Sequence, residues 1–121
     1  TYDVGHAIDD RIVIGQADGG LAQAIGYGYL ENMEVAEGRF RQKTLSDYIV
    51  PTAVDLPMME TELIDNLFAY GASGAKGCGE LTFVGGAPAL GHAIEMAIKH
   101  DIHKIPANPE YLMEVIEHGK Y

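Results

Sequence analysis

Gly15-Gln16-Ala17-Asp18-Gly19-Gly20-Leu21-Ala22-Gln23-Ala24-Ile25-Gly26 is the stretch that decides how this chain is read. Glycine in a helix interior costs about 0.5–1 kcal/mol relative to alanine, so glycines at 15, 19, 20 and 26 would ordinarily argue against a helix. Yet Val13, Ala17, Leu21, Ala24, Ile25 and Tyr29 recur at three- and four-residue spacing through it. That is the stripe of an amphipathic helix. The pattern predicts a helix from about Arg11 to Asn32, with Asp9-Asp10 offering the N-cap. Gly15 with Gly19, and Ala22 with Gly26, are small residues four apart. They need a reason, and the usual one is close approach of another backbone or of a ligand.

Around this helix the signals are shorter. Residues 2–8 read as the end of a strand running into a turn. Residues 33–47 are polar, contain Gly38, and suggest a hairpin or loop. Ile49-Val50-Pro51 breaks regular structure. In 58–66, Met59, Thr61 and Leu63 alternate with Glu60 and Glu62, the pattern of a strand buried on one face. Residues 69–80 form a glycine-rich loop. A second helix is predicted over 88–100, with Pro88 in its first turn. Asn108-Pro109-Glu110 starts a third, which runs to about His118 and stops at Gly119. The order β-α-β-(β)-β-α-α gives an α+β class: a few-stranded sheet, a glycine-rich helix and two C-terminal helices. Such a sheet leaves edges and an uncovered face. The chain is therefore expected to be part of a larger α+β domain or to pair with another chain.

Composition narrows the function. The chain has 121 residues, 47% of them apolar, enough for one domain with a core. Eighteen acids against 8 bases leave a net charge of −10. That argues against nucleic acid, which needs a basic face, and against anionic lipid. The single cysteine excludes an internal disulfide framework or a cysteine-rich metal site. No signal peptide is recognisable and no apolar run approaches the ~18 residues of a membrane span. A cytoplasmic location is expected.

The loop Gly74-Ala75-Lys76-Gly77-Cys78-Gly79-Glu80 is the main candidate for chemistry. It fits neither the Walker spacing nor the three-glycine dinucleotide pattern. Glycines let backbone approach a ligand and aim N–H groups at it. Glu80 closes the loop. If it is desolvated, its pKa rises and suits a general base; the plainer alternative is stabilisation of the next helix's N-terminus. Lys76 reads as a solvated loop lysine and Cys78 as a small buried residue without a histidine partner. His100 and His103 are three apart, but a third placed metal ligand is missing, and a helix C-terminal role fits them better. Gln16 could point an amide at a polar ligand or simply lie on a helix packed through small residues.

Taken in order, these blocks resemble the C-terminal part of the molybdopterin-binding subunit of the xanthine oxidase, or molybdenum hydroxylase, family, which includes xanthine dehydrogenases and aldehyde oxidoreductases. The matching segments are Asp3-Val4-Gly5, Gly15 to Gly26, Tyr48-Ile49-Val50-Pro51, Gly74 to Glu80, Pro88-Ala89 and Ile105 to Glu110. Ala24 stands where the family usually has glycine, Asp9-Asp10 replaces a common Asn-Pro, and Leu81-Thr82 replaces frequent prolines. The resemblance covers essentially the whole chain but only the end of a much longer subunit, so residues 1–121 would be the C-terminal segment of a molybdopterin-binding domain.

The resemblance implies a molybdenum-dependent oxidoreductase that hydroxylates an electron-poor carbon of an N-heterocycle or aldehyde, with oxygen from water. Glu80 would be the general base, taking the proton of the attacking hydroxyl. Gln16 would contact the cofactor through its amide, and Lys76, Gly77, Cys78 and Gly79 would form the cofactor loop, with no catalytic role for Cys78. The cofactor would be molybdopterin, as the cytosine dinucleotide usual in bacterial relatives, with its molybdenum held by pterin sulfurs and no protein metal ligand. Iron–sulfur clusters and FAD would lie on other domains or subunits. Partners would be the rest of the molybdenum subunit, the iron–sulfur and FAD subunits and a small-molecule substrate. The isolated segment would be inactive. Two other readings stay open: a non-catalytic module that completes a molybdenum subunit or self-associates through sheet edges, and a small acidic protein using the glycine loop as an anion nest.

Overall fold

The computed structural model describes residues 1–119. Helix α1 runs from Asp10 to Ile25 and continues as a π-helical turn over Gly26–Leu30. The glycine-rich stretch is therefore helical, as its periodicity predicts. Asp9 is the N-cap and accepts from the Arg11 N–H. At the other end the Glu31 N–H reaches back to the Gly26 carbonyl at 2.8 Å, closing the wider turn. Among the described residues a further short helix, α2 (Leu81–Val84), precedes α3 (Gly86–Ile98) and α4 (Pro109–His118).

The sheet is smaller than the alternation in 58–66 predicts. β1 (Tyr2–Asp3) pairs in parallel with β4 (Leu63–Ile64), Tyr2 opposite Leu63 and Asp3 opposite Ile64. β2 (Val35–Ala36) and β3 (Arg39–Phe40) form an antiparallel hairpin turning through Glu37 and Gly38. Met59, Thr61 and Leu63 are half-buried while Glu60, Glu62 and Ile64 are exposed, so the predicted alternation is present in burial. The ladder stops at two residues because its partner, β1, is only two residues long.

Close packing depends on particular glycines. Gly20 lies against Thr82, whose hydroxyl a Cβ at position 20 would overlap and whose own Cβ would be 2.8 Å away. Gly86 sits on the Cβ of Ala24, which is fully buried. Ala24, the departure from the usual glycine, is thus accommodated by a glycine on the facing helix. These contacts join α1 to α2 and α3. A second cluster, Ala107, Tyr111 and Val115 with Ile94, Ile98, Ile102 and Leu112, fastens α4 to α3. The Ala107 N–H bonds the Gly28 carbonyl at 2.7 Å and ties this cluster to the end of α1.

The start of α4 follows the local code: Asn108 accepts from the Tyr111 N–H, Pro109 occupies the first turn, and Gly119 closes the helix in the left-handed region. Asn108→Ala is expected to cost about 1 kcal/mol locally, read as roughly fivefold faster amide exchange along α4 in the complete protein.

The buried core is small for the apolar content. Val54, Met58, Tyr70, Met96 and Ile8 are among many large apolar residues left on the surface, each at least 80% exposed. Leu81–Ile98 averages 1.2 in hydropathy over 18 residues, but the backbone turns at Gly85 and splits it into α2 and α3. Neither piece approaches the ~20 residues a spanning helix needs.

Candidate functional site

The glycine-rich loop is built on the N-terminal strand. Gly74 and Ser73 have φ of 79° and 53°, which turn the chain back after β4. The Gly74 carbonyl accepts from the His6 N–H at 3.0 Å and the Phe68 N–H at 2.9 Å. The Lys76 N–H donates to the Val4 carbonyl at 2.9 Å, and Gly5 bridges Ala75. Gly5 itself has φ 64°, and a Cβ there would overlap the Gly74 carbonyl. Both the left-handed conformation and this contact require glycine.

Lys76 is not a free loop lysine. Its Nζ donates to Asp3 Oδ1 at 2.7 Å. Asp3 Oδ1 also accepts from the Gly5 N–H at 3.2 Å, and Oδ2 accepts from Asn66 Nδ2 at 2.8 Å. Sequence reasoning missed Asp3 and Asn66 as part of the site; Asp3 was visible only as a member of the Asp-Val-Gly segment. The Lys76 ammonium, then Asn66 and the Gly5 N–H, hold the Asp3 carboxyl down at about 2, from an ordinary 3.8. A lowered folded-state pKa stabilises above the unfolded value and loses that effect as pH falls through the folded one. The clamp is therefore expected to be intact from neutral pH down to about 4 and to release only as pH falls toward 2. Exchange of the Lys76 amide against pH would check this.

Glu80 ends the loop and precedes α2. It is exposed, and its side chain makes no bond to the helix N-terminus. Neither the desolvation nor the side-chain capping anticipated for it is present within these residues. It opens instead on a cavity of about 510 Å³ shared with Gln23, Tyr27, Glu31, Phe83 and Val84. Tyr27 and Phe83 form its aromatic wall, with ring centroids 5.8 Å apart at 53°. Glu31 in the same cavity takes a hydrogen bond from the Tyr48 hydroxyl, whose pKa that bond and partial burial raise.

Gln16 lies on the exposed side of α1. Its backbone carbonyl accepts from the Thr82 hydroxyl at 2.9 Å, and Thr82 is 2% exposed. The loop's exit is thereby fixed to the glycine-rich helix two residues beyond Glu80. Close packing does not account for Gly15 or Gly19: a Cβ at either meets nothing within 4 Å, and the same holds at Gly77 and Gly79. The glycines flanking Gln16 and those flanking Cys78 face open space.

Cys78 is half-buried beside an apolar cavity of about 200 Å³ with Val4, Ile8, Ile12 and Val13. His6 borders the same cavity, but its Nδ1 lies 3.7 Å from Asp65 Oδ1. Among the described residues no group of three His, Cys, Asp or Glu is placed to share a metal ion.

Known proteins resemble this chain in sequence and in fold. The sequence model of the molybdopterin cofactor-binding domain matches residues 1–57. A probable xanthine dehydrogenase subunit of Bacillus subtilis is 33% identical over 121 residues, covering 95% of this chain and 16% of the relative. The putative xanthine dehydrogenase molybdenum-binding subunit of Escherichia coli K12 is 32% identical over 116 residues, covering 94% and 15%. The solved structure of quinoline 2-oxidoreductase from Pseudomonas putida superimposes with a TM-score of 0.88 at 31% identity, over 96% of this chain and 15% of that one. The chain belongs to the molybdenum hydroxylase family. Its mixed fold, with few strands and a glycine-rich helix, matches part of the large subunit of these enzymes. It spans about 15–16% of the length of these relatives.

Proposed function

We propose that this chain is the C-terminal segment of the molybdopterin-binding domain of a molybdenum hydroxylase, and that Glu80 is the base of its active site. The observation that carries the reading is the open surroundings of glycines on the helix and in the loop, the two stretches that flank Gln16 and Cys78. Among the described residues, Gly15, Gly19, Gly77 and Gly79 have no neighbour that explains the missing side chains. A helix does not keep two such glycines without cost, so a body outside the chain is what they accommodate. A flat, polar pterin fits: bare backbone allows close approach, and loop N–H groups can meet its phosphate and ring acceptors. Gln16 would hold it through the side-chain amide. Gly77, Cys78 and Gly79 would line it with backbone, and Lys76 would shape the loop from its bond to Asp3.

When bound, the molybdenum cofactor supplies the two-electron oxidation that lets water oxygen enter an electron-poor carbon. Glu80 would take the proton released as the new carbon–oxygen bond forms. Its exposure in this chain and the cavity before it leave room for a substrate and for covering elements. Once covered, a carboxylate there would be desolvated and its pKa raised into the range useful for a base. The many exposed apolar residues support burial against the rest of the molybdenum subunit. The full reading includes a molybdopterin cytosine dinucleotide, iron–sulfur and FAD partners that carry the electrons away, an N-heterocycle or aldehyde as substrate, and a cytoplasmic location. The test is to purify the complete protein, measure molybdenum and pterin, and assay hydroxylation of N-heterocycles and aldehydes. Molybdenum with turnover supports the reading; a complete protein without pterin overturns it.

A further inference from the structure

We propose that Asp3 is a positioning residue of the active site, holding the loop that carries Glu80 through Lys76 and Asn66. The inference rests on the reading of Glu80 as the base. One carboxylate joins three separate parts of the chain. Its Oδ1 takes the Lys76 ammonium at 2.7 Å, across 73 positions of sequence. Its Oδ2 takes the Asn66 amide at 2.8 Å, across 63 positions. The Gly5 N–H, at 3.2 Å, fixes the carboxylate to its own strand. A lone surface ion pair would do little, but here three donors converge on one group and fix its rotamer.

The place of this cluster along the chain gives it a consequence for Glu80. Backbone bonds hold the loop as far as Lys76, whose N–H donates to Val4 at 2.9 Å. Beyond it, positions 77 and 79 are glycines with open surroundings. Among the described residues, the next tertiary hydrogen bond is from the Thr82 hydroxyl to the Gln16 backbone carbonyl, at 2.9 Å. Glu80 therefore hangs between two anchors, Lys76 four residues before it and Thr82 two residues after. The Lys76 side chain crosses over Gly5, with Cγ 3.2 Å from where a Cβ would stand. Without the Asp3 carboxylate, the Lys76 ammonium loses its 2.7 Å bond, and the first anchor keeps only its backbone part.

The test uses the complete, molybdenum-loaded enzyme. Asp3→Asn is expected to lower kcat by about 10- to 100-fold, the scale of a small misplacement of a reacting group. KM should stay within about twofold, as it does when only transition-state interactions weaken. Molybdenum content should stay native, and the amides of 74–80 should exchange faster than in the native enzyme. Asp3→Glu, which keeps a carboxylate within reach of Lys76, should recover most of kcat. If Asp3→Asn does not assemble, Asn66→Ala carries the same test. It removes one exposed tie and should show the same signature with a smaller fall in kcat.

A native kcat in Asp3→Asn overturns the proposal, as does a lowered kcat with unchanged loop exchange, or a raised KM at native kcat. Glu80→Gln assayed alongside separates the two claims. If it is inactive while Asp3→Asn is native, the positioning role fails and the base remains. If it turns over normally, the base assignment fails and the positioning role falls with it.

Discussion

Glu80→Gln in the complete enzyme is expected to retain molybdenum and pterin while turnover falls by about 10²- to 10⁴-fold, the usual contribution of a general base. Glutamine keeps the size and hydrogen-bonding reach of the side chain but cannot accept a proton at working pH. The substitution should not disturb folding, because Glu80 is exposed and makes no capping bond at the start of α2. A fall in kcat with molybdenum intact would thus belong to the chemical step. A fall that tracks lost molybdenum would instead make Glu80 a residue for assembling the site. The check is metal analysis and steady-state kinetics on the same preparation.

Gly20→Ala and Gly19→Ala should behave in opposite ways, although the two glycines are adjacent. A Cβ at Gly20 meets the Thr82 hydroxyl and stands 2.8 Å from its Cβ and 3.1 Å from the Phe83 nitrogen. Thr82 cannot turn away easily, because it is 2% exposed and bonded to the Gln16 carbonyl. Overpacking of this kind costs about 1–3 kcal/mol, more than the ~0.5–1 kcal/mol that alanine gains over glycine in a helix. Gly20→Ala is therefore expected to loosen α2 from α1 and, with it, the exit of the Glu80 loop. Adding Thr82→Ala should recover part of the loss, since the hydroxyl clash goes but the Cβ contact stays. A double-mutant cycle would measure that coupling.

At Gly19 nothing among the described residues opposes a methyl group. Gly19→Ala should leave α1 as stable or slightly more so, yet lower the molybdenum content of the complete enzyme. Native loading in Gly19→Ala would remove the argument that the cofactor approaches this face.

That contrast shows where the sequence was legible. Gly15, Gly19 and Gly20 look alike in the sequence, and only Thr82, 62 positions after Gly20, separates a packing glycine from an open one. The helix itself was legible because its signals are local: the Asp9 cap and the apolar stripe; the change to a π turn at Gly26 was not among them. Helix α4 was more so, because Asn108, Pro109 and Gly119 act on neighbouring backbone. The alternation over 58–66 predicts a longer strand than the two residues that form, Leu63–Ile64. Alternation reports which side chains are covered, whereas a ladder needs a partner strand, and β1 offers two residues.

At the site, the loop and Glu80 stood out through glycine spacing and resemblance. The Asp3–Lys76–Asn66 cluster did not, because Asn66 and Lys76 lie 63 and 73 positions from Asp3 and each member passes for a solvated surface residue.

The most direct test of the central claim compares amide exchange in the complete protein with and without its cofactor, the cofactor-free form made in a host that lacks molybdopterin. The account predicts that binding slows exchange in two separated stretches, around Gly15–Gly19 and around Gly77–Glu80, with molybdenum present in the protected form alone. Equal exchange in both forms at both stretches would mean that the open glycines do not receive the cofactor, and would contradict the account.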